Sequence, residues 1–186
     1  MAANTKETLI ILDAQVGILG HAWESDRVIA NIETLVGKAR AAQVPIIWVQ
    51  HSDQEVVYGS DAWKFLPGLV PQPGERVVHK HFNSAFEETD LGATLEALGT
   101  RRIVLAGALT NWCVRATAYA ALDRGYDLTL VGDAHSTQPV ELGNGKTIAA
   151  ETIVDELNAT LQWLSYPNSH ANVSDTARID FSDRPN

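Results

Sequence analysis

Apolar residues fall along this chain in two alternating rhythms. Short unbroken runs (Leu9 to Leu12, Ile46 to Val49, Val77-Val78, Ile103 to Ala106, Leu128 to Val131) are separated by longer stretches whose apolar residues recur every three or four positions. A run that is apolar on both faces suits a central strand of a parallel sheet. The three-to-four spacing marks a helix with one buried face. It predicts a helix from Ser25 to about Ala42, capped by Ser25-Asp26, with Val28, Ile29, Ile32, Leu35, Val36 and Ala39 inward. A short helix is predicted over Asp90 to Leu98, closed by Gly99, and another ends at Gly125. The last runs from Thr147 to Leu164, with Ile148, Ile153, Val154, Leu157, Leu161 and Leu164 toward the core and Trp163 and Tyr166 packed at its end. Ala171 to Thr176 is predicted as a sixth, edge strand, and Ile179 and Phe181 as a final apolar tie-down. This alternation predicts one α/β domain over residues 1–186: three layers around a doubly wound, six-stranded parallel sheet with right-handed crossovers.

Composition narrows the partners. The 186 residues carry a net charge of −9, with 45% apolar and 20% charged residues. A chain this acidic has no basic stripe for phosphates, so nucleic acid is not an expected partner. No apolar run approaches the length needed to cross a bilayer, and the polar start MAANTKET has no apolar signal core. One cysteine forms no internal disulfide. A cytoplasmic protein is expected.

Candidate chemistry lies where the runs stop. Asp13 follows the first run, Lys80 follows the third, and the only cysteine, Cys113, lies just past the fourth, after the break at Gly107. Asp is also a common turn residue, Lys a common surface residue and a lone Cys a common small buried residue. Together, however, all three fall at the carboxyl ends of strands, where open α/β sheets bind ligands. An acid, an amine and a thiol at one cleft are harder to explain by packing than any one alone. Cys113 is expected in the first turn of its helix, where free N–H groups and the macrodipole favour thiolate and could hold an oxyanion. The run from Leu128 is expected to stop at Val131, with Asp133 after it and Ala134 to Gly145 as loop, so that His135 reads as a polar loop residue.

The excursion from Ser52 to Glu75 is long for a compact domain and carries Val56, Val57, Tyr58, Trp63, Phe65 and Leu66. Such a segment is functional or packs at an interface. It is expected at the rim of the cleft, as a lid or as a subunit contact. His51, His79, His81 and His135 are scattered without a ligand pair at recognised spacing, so no catalytic metal or cofactor is expected.

The segments LIILDAQVGIL around Asp13, VVHKHFNSAF around Lys80 and VLAGALTNWCVRATAYAALDRGYDLTLVGDA around Cys113 resemble the isochorismatase-like family of cysteine hydrolases. The resemblance runs over about residues 7 to 181 and implies an Asp13-Lys80-Cys113 triad. It also implies a cis peptide between Ala108 and Leu109, an oxyanion hole from the backbone N–H groups of Leu109 and Cys113, and a homo-oligomer, dimer or tetramer. The region VVQHSDQEVVYGSDAWKF lacks the Asp-Trp-His grouping of the family's nicotinamidases. The presence of Cys113 favours an amide, lactam or carbamoyl substrate, and the tail DAHSTQPVELGNGKTIAAETIVDELNATL is similar to that of streptothricin hydrolase-like members. Gln15, Trp63, Phe86, Trp112 and His135 neighbour these motifs and are the candidate substrate-contacting residues. The expected activity is hydrolysis of a C–N bond in a small molecule through a covalent cysteine intermediate. Isochorismatase-type vinyl ether hydrolysis and non-catalytic small-molecule binding are the alternatives.

Overall fold

Each apolar run is the centre of a strand that reaches further than the run itself. The computed structural model describes residues 6–181. In it β1 (Lys6–Leu12), β2 (Ile46–His51), β3 (Arg76–Lys80), β4 (Thr100–Ala108) and β5 (Asp127–Ser136) pair in parallel, with β8 (Ala171–Ser174) at one edge. The sheet order is β3-β2-β1-β4-β5-β8, so the direction of winding reverses between β1 and β4. That reversal opens a crevice at the carboxyl ends of the two strands.

The two faces of the sheet are buried by different helices. Leu9 and Ile11 face α1 (Ser25–Ala41), whose Val28, Ile32, Leu35, Val36 and Ala39 are buried against them. Ile10 and Leu12 face the side covered by α2 (Leu91–Leu98), α3 (Arg115–Asp123) and α4 (Ala150–Trp163). All four residues of the Leu9–Leu12 run are fully buried, as a central strand with two covered faces requires. The tie-down predicted at Ile179 and Phe181 is present on the α1 side, where Lys38 Nζ donates to the carbonyls of Thr176, Ala177 and Ile179.

Four local readings change. Ser25-Asp26 do not cap α1: the cap position is Glu24, in the left-handed region at φ 49°, and it makes no side-chain cap hydrogen bond. The last long helix begins at Ala150 rather than Thr147, because Thr147-Ile148 pair with Val140-Glu141 as a two-stranded ribbon (β6 Val140–Glu141, β7 Thr147–Ile148). Ile148 is therefore exposed and not part of the core. Trp163 does not pack at the helix end and is 87% exposed. Finally, β5 does not stop at Val131. The strand bulges after Val131 and rejoins the ladder with His135 beside Gly107 and Ser136 beside Ala108.

Candidate active site

Three strand ends deliver the site. Asp13 directly follows β1, in the left-handed region at φ 49°. Gly107 on β4 lies alongside: a Cβ there would stand 2.0 Å from Leu12 O, at φ +123°, so only glycine lets β4 approach the backbone that presents Asp13. Lys80 is the last residue of β3, and its aliphatic stem and ammonium are both buried. Past β4, the Ala108–Leu109 peptide is cis, and the chain enters a single wide turn, Thr110–Val114, before α3. Leu109 O accepts from both Trp112 N and Val114 N at 3.1 Å. The second of these bonds spans five residues, so Cys113 rides on a π-helical turn rather than on the α-helical first turn expected from the sequence.

Asp13, Lys80 and Cys113 converge. Lys80 Nζ lies 2.8 Å from Asp13 Oδ2 and 3.1 Å from Cys113 Sγ. Two more acceptors surround the ammonium, Phe82 O and His51 Nδ1, each at 3.2 Å. Burial works against the Lys80 charge, but Asp13 and then Cys113 outweigh it and hold Lys80 above its ordinary value. Burial pushes the Cys113 thiol up to about 12; the negative charge of Asp13 adds to this, and Lys80 offsets only part of it. The expectation of a thiolate favoured by a helix start is therefore corrected. At neutral pH the thiol is protonated, because the loss of hydration outweighs the helix terminus. Asp13 is within hydrogen-bonding reach of the thiol.

The five candidate substrate contacts divide sharply. Trp112 stands beside the nucleophile and is 53% exposed. Gln15 is buried and fully engaged: its Oε1 accepts from His51 N at 2.7 Å, and its Nε2 donates to His51 O at 2.9 Å and Trp63 O at 2.8 Å. It fastens the loop after β2 to the loop after β1 and has no group left for a ligand. His135 is likewise committed, with Nδ1 2.9 Å from Thr110 Oγ1 and Nε2 2.9 Å from Asn158 Oδ1. It braces the turn that carries Cys113. Burial pulls its pKa down to about 4, so the ring is neutral.

The remaining two have their rings packed against other side chains. Phe86 is packed in the core against Tyr126, with the Arg124 guanidinium 4.7 Å from its ring centre. The Trp63 ring stacks on His79 at 5.7 Å and meets Tyr58 at 4.5 Å in a tilted contact. Successive strand residues point to opposite faces, so the ring over His79 covers the face opposite the one Lys80 projects from. The excursion is thus anchored to the body through Trp63, whose carbonyl accepts from Gln15 and Gln50.

The residue that sequence reasoning missed is His51. The sequence offered it only as a metal ligand without a mate, yet the parallel register sets His51 directly beside Lys80. Among the described residues no group of three or more His, Cys, Asp or Glu is placed to hold a metal ion.

Comparison with known proteins agrees with this geometry. The family model for the isochorismatase domain matches residues 7–152. The chain belongs to the isochorismatase family. It is 31% identical over 151 residues to the streptothricin hydrolase of Streptomyces noursei, which covers 77% of this chain and 60% of that protein. The chain therefore spans about three-fifths of that relative's length. It is 36% identical over 96 residues to the maleamate amidohydrolase of Pseudomonas putida, covering 48% of this chain and 45% of the relative. Among solved structures, an isochorismatase from Pseudomonas putida KT2440 superposes with a TM-score of 0.84 at 31% identity, over 96% of this chain and 92% of the other. Similarity to these hydrolases favours catalysis over non-catalytic binding.

Proposed function

We propose that this hydrolase cleaves a C–N bond (amide, lactam or carbamoyl) of a small molecule through a covalent intermediate on Cys113. The observation that carries the reading is the buried ammonium of Lys80, 2.8 Å from Asp13 Oδ2 and 3.1 Å from Cys113 Sγ. Similarity to an amidohydrolase supports the bond type.

The steps follow from the groups present. Asp13 takes the thiol proton as Sγ attacks the carbonyl carbon, and the carbonyl π pair moves onto oxygen. The N–H groups of Leu109 and Cys113 receive that oxyanion, a contribution of about 3–4 kcal/mol per donor. Collapse re-forms the carbonyl and breaks the C–N bond while Asp13 returns its proton to the leaving nitrogen. Water then attacks the thioester, again giving a proton to Asp13, and Cys113 leaves and is reprotonated. Lys80 holds a fixed positive charge beside whichever of Asp13 and Cys113 carries the negative charge at each step.

Vinyl ether hydrolysis is the second reading, favoured by the likeness to an isochorismatase structure and by the protonated thiol. There Asp13 would act as the proton donor. The test is an amide-substrate panel read by ammonia or amine release, with isochorismate read by pyruvate release, on the parent and on Cys113→Ala. The proposal expects nitrogen release that the alanine variant loses entirely. Full turnover in Cys113→Ala, or pyruvate as the only product, overturns it. We also propose a homo-oligomer, because Val57, Tyr58 and Trp112 leave large apolar side chains exposed.

A further inference from the structure

One imidazole contact at the site is used by none of these steps. His51 and Lys80 are the last residues of two neighbouring parallel strands and are register partners, so their side chains leave the sheet on the same face. His51 Nδ1 lies 3.2 Å from Lys80 Nζ. An ammonium has no lone pair, so in this contact Nδ1 can only accept, sharing the three Lys80 hydrogens with Asp13, Cys113 and Phe82 O. That fixes the tautomer: the hydrogen is on Nε2, which donates to Asp53 Oδ2 at 3.0 Å.

Asp53 is itself tied down. Its Oδ1 accepts from Val56 N at 2.7 Å and Glu55 N at 2.8 Å. These bonds, Val56 first, outweigh partial burial and hold its carboxyl below the usual range. The main chain of His51 is clamped at both N and O by the Gln15 amide. Every polar atom of His51 is therefore engaged, and the ring offers Lys80 a single rigid acceptor.

We propose that His51, held by Asp53, is a positioning residue that fixes the Lys80 ammonium between Asp13 and Cys113. The inference rests on the nucleophile reading above and deepens it. His81, next after Lys80 in the chain, turns to Ser52, with Nδ1 3.0 Å from its carbonyl and 3.2 Å from its hydroxyl.

The test reads Cys113 directly and needs no known substrate. Iodoacetamide alkylation rates are measured from pH 5 to 10 on the parent, His51→Asn, His51→Leu and Lys80→Ala, with intact mass confirming modification at Cys113 and thermal denaturation reporting the fold. Asparagine places a non-titrating amide oxygen where Nδ1 stands, whereas leucine removes the acceptor. His51→Asn should stay within about three-fold of the parent at pH 8. His51→Leu should fall about ten-fold, as a one-unit rise in thiol pKa requires, with its profile displaced to higher pH. A His51→Leu profile identical to the parent, while Lys80→Ala slows alkylation, overturns this inference alone. So do Asn and Leu variants equally slowed with undisplaced profiles, which would mark a purely structural role. Indifference to both His51 and Lys80 overturns this inference and the nucleophile reading together.

Discussion

His135 converts the bracing of the nucleophile turn into a measurable acid sensitivity. Its ring is fully buried, donates from Nε2 to Asn158 Oδ1 and accepts at Nδ1 from the Thr110 hydroxyl. Asn158 Nδ2 in turn donates to Gly132 O at 3.0 Å, which orients the amide oxygen toward the ring. Burial, opposed in part by the Asn158 bond, lowers the pKa from 6.5 to about 4. A base whose folded pKa is depressed binds more protons when unfolded over the interval between the two values. Its contribution is therefore complete above pH 6.5 and is lost as the pH falls toward 4. From those values the group costs almost nothing at pH 7.5 and about 2 kcal/mol at pH 5. Urea unfolding of the parent and of His135→Gln at pH 7.5 and pH 5.0 checks this. Glutamine cannot protonate and can still donate toward Asn158. The parent should lose about 2 kcal/mol more than the variant between the two pH values. Equal losses, or an NMR titration of folded His135 with a midpoint above 6, would refute the reasoning.

Two further outcomes follow from the way the strand ends meet. Gly107→Ala puts a Cβ 2.0 Å from Leu12 O at a positive φ, so a loss of about 3 kcal/mol or more is expected, seen as a melting temperature lower by roughly 10 °C; a parent-like melting curve would contradict it. Gln15→Leu keeps the volume but strands the N–H and carbonyl of His51 and weakens the hold on Trp63 O, at about 1–3 kcal/mol for each buried group left unpaired. Denaturant unfolding should show that loss, and a variant as stable as the parent would remove Gln15 as the clamp between the two loops.

The pattern of apolar runs by itself determined the architecture. Runs such as Leu9–Leu12 are apolar at every position, and only a strand covered on both faces buries such a run completely. Helices of one-sided spacing then had to supply the cover, and the parallel sheet with its switch point between β1 and β4 followed. Asp13, Lys80 and Cys113 were legible for the same reason: a polar residue directly after a buried strand is carried to the carboxyl edge wherever that strand lies.

What the sequence left open depended on contacts between distant segments. The β5 run ended, by pattern, at Val131, yet the ladder resumes after a bulge and puts His135 beside Gly107; local spacing carries no signal for pairing that skips residues. Ile148 has the spacing of a helix interior, but a two-residue ribbon with Val140-Glu141 claims its backbone first. His51 looked unpartnered until the register of two neighbouring strands set it against Lys80. Gln15, Trp63, Phe86 and His135 lie close to the motifs in sequence, but Gln15 and His135 spend their polar side-chain atoms on other segments, Phe86 packs in the core and the Trp63 ring lies against His79. The protonation of Cys113 was decided in the same way, since a helix start is a local feature whereas the burial that raises the thiol to about 12 comes from everything packed around it. Position along the chain fixed which residues reach the crevice, and tertiary packing fixed which of them retain a free group, and which charge, once they arrive.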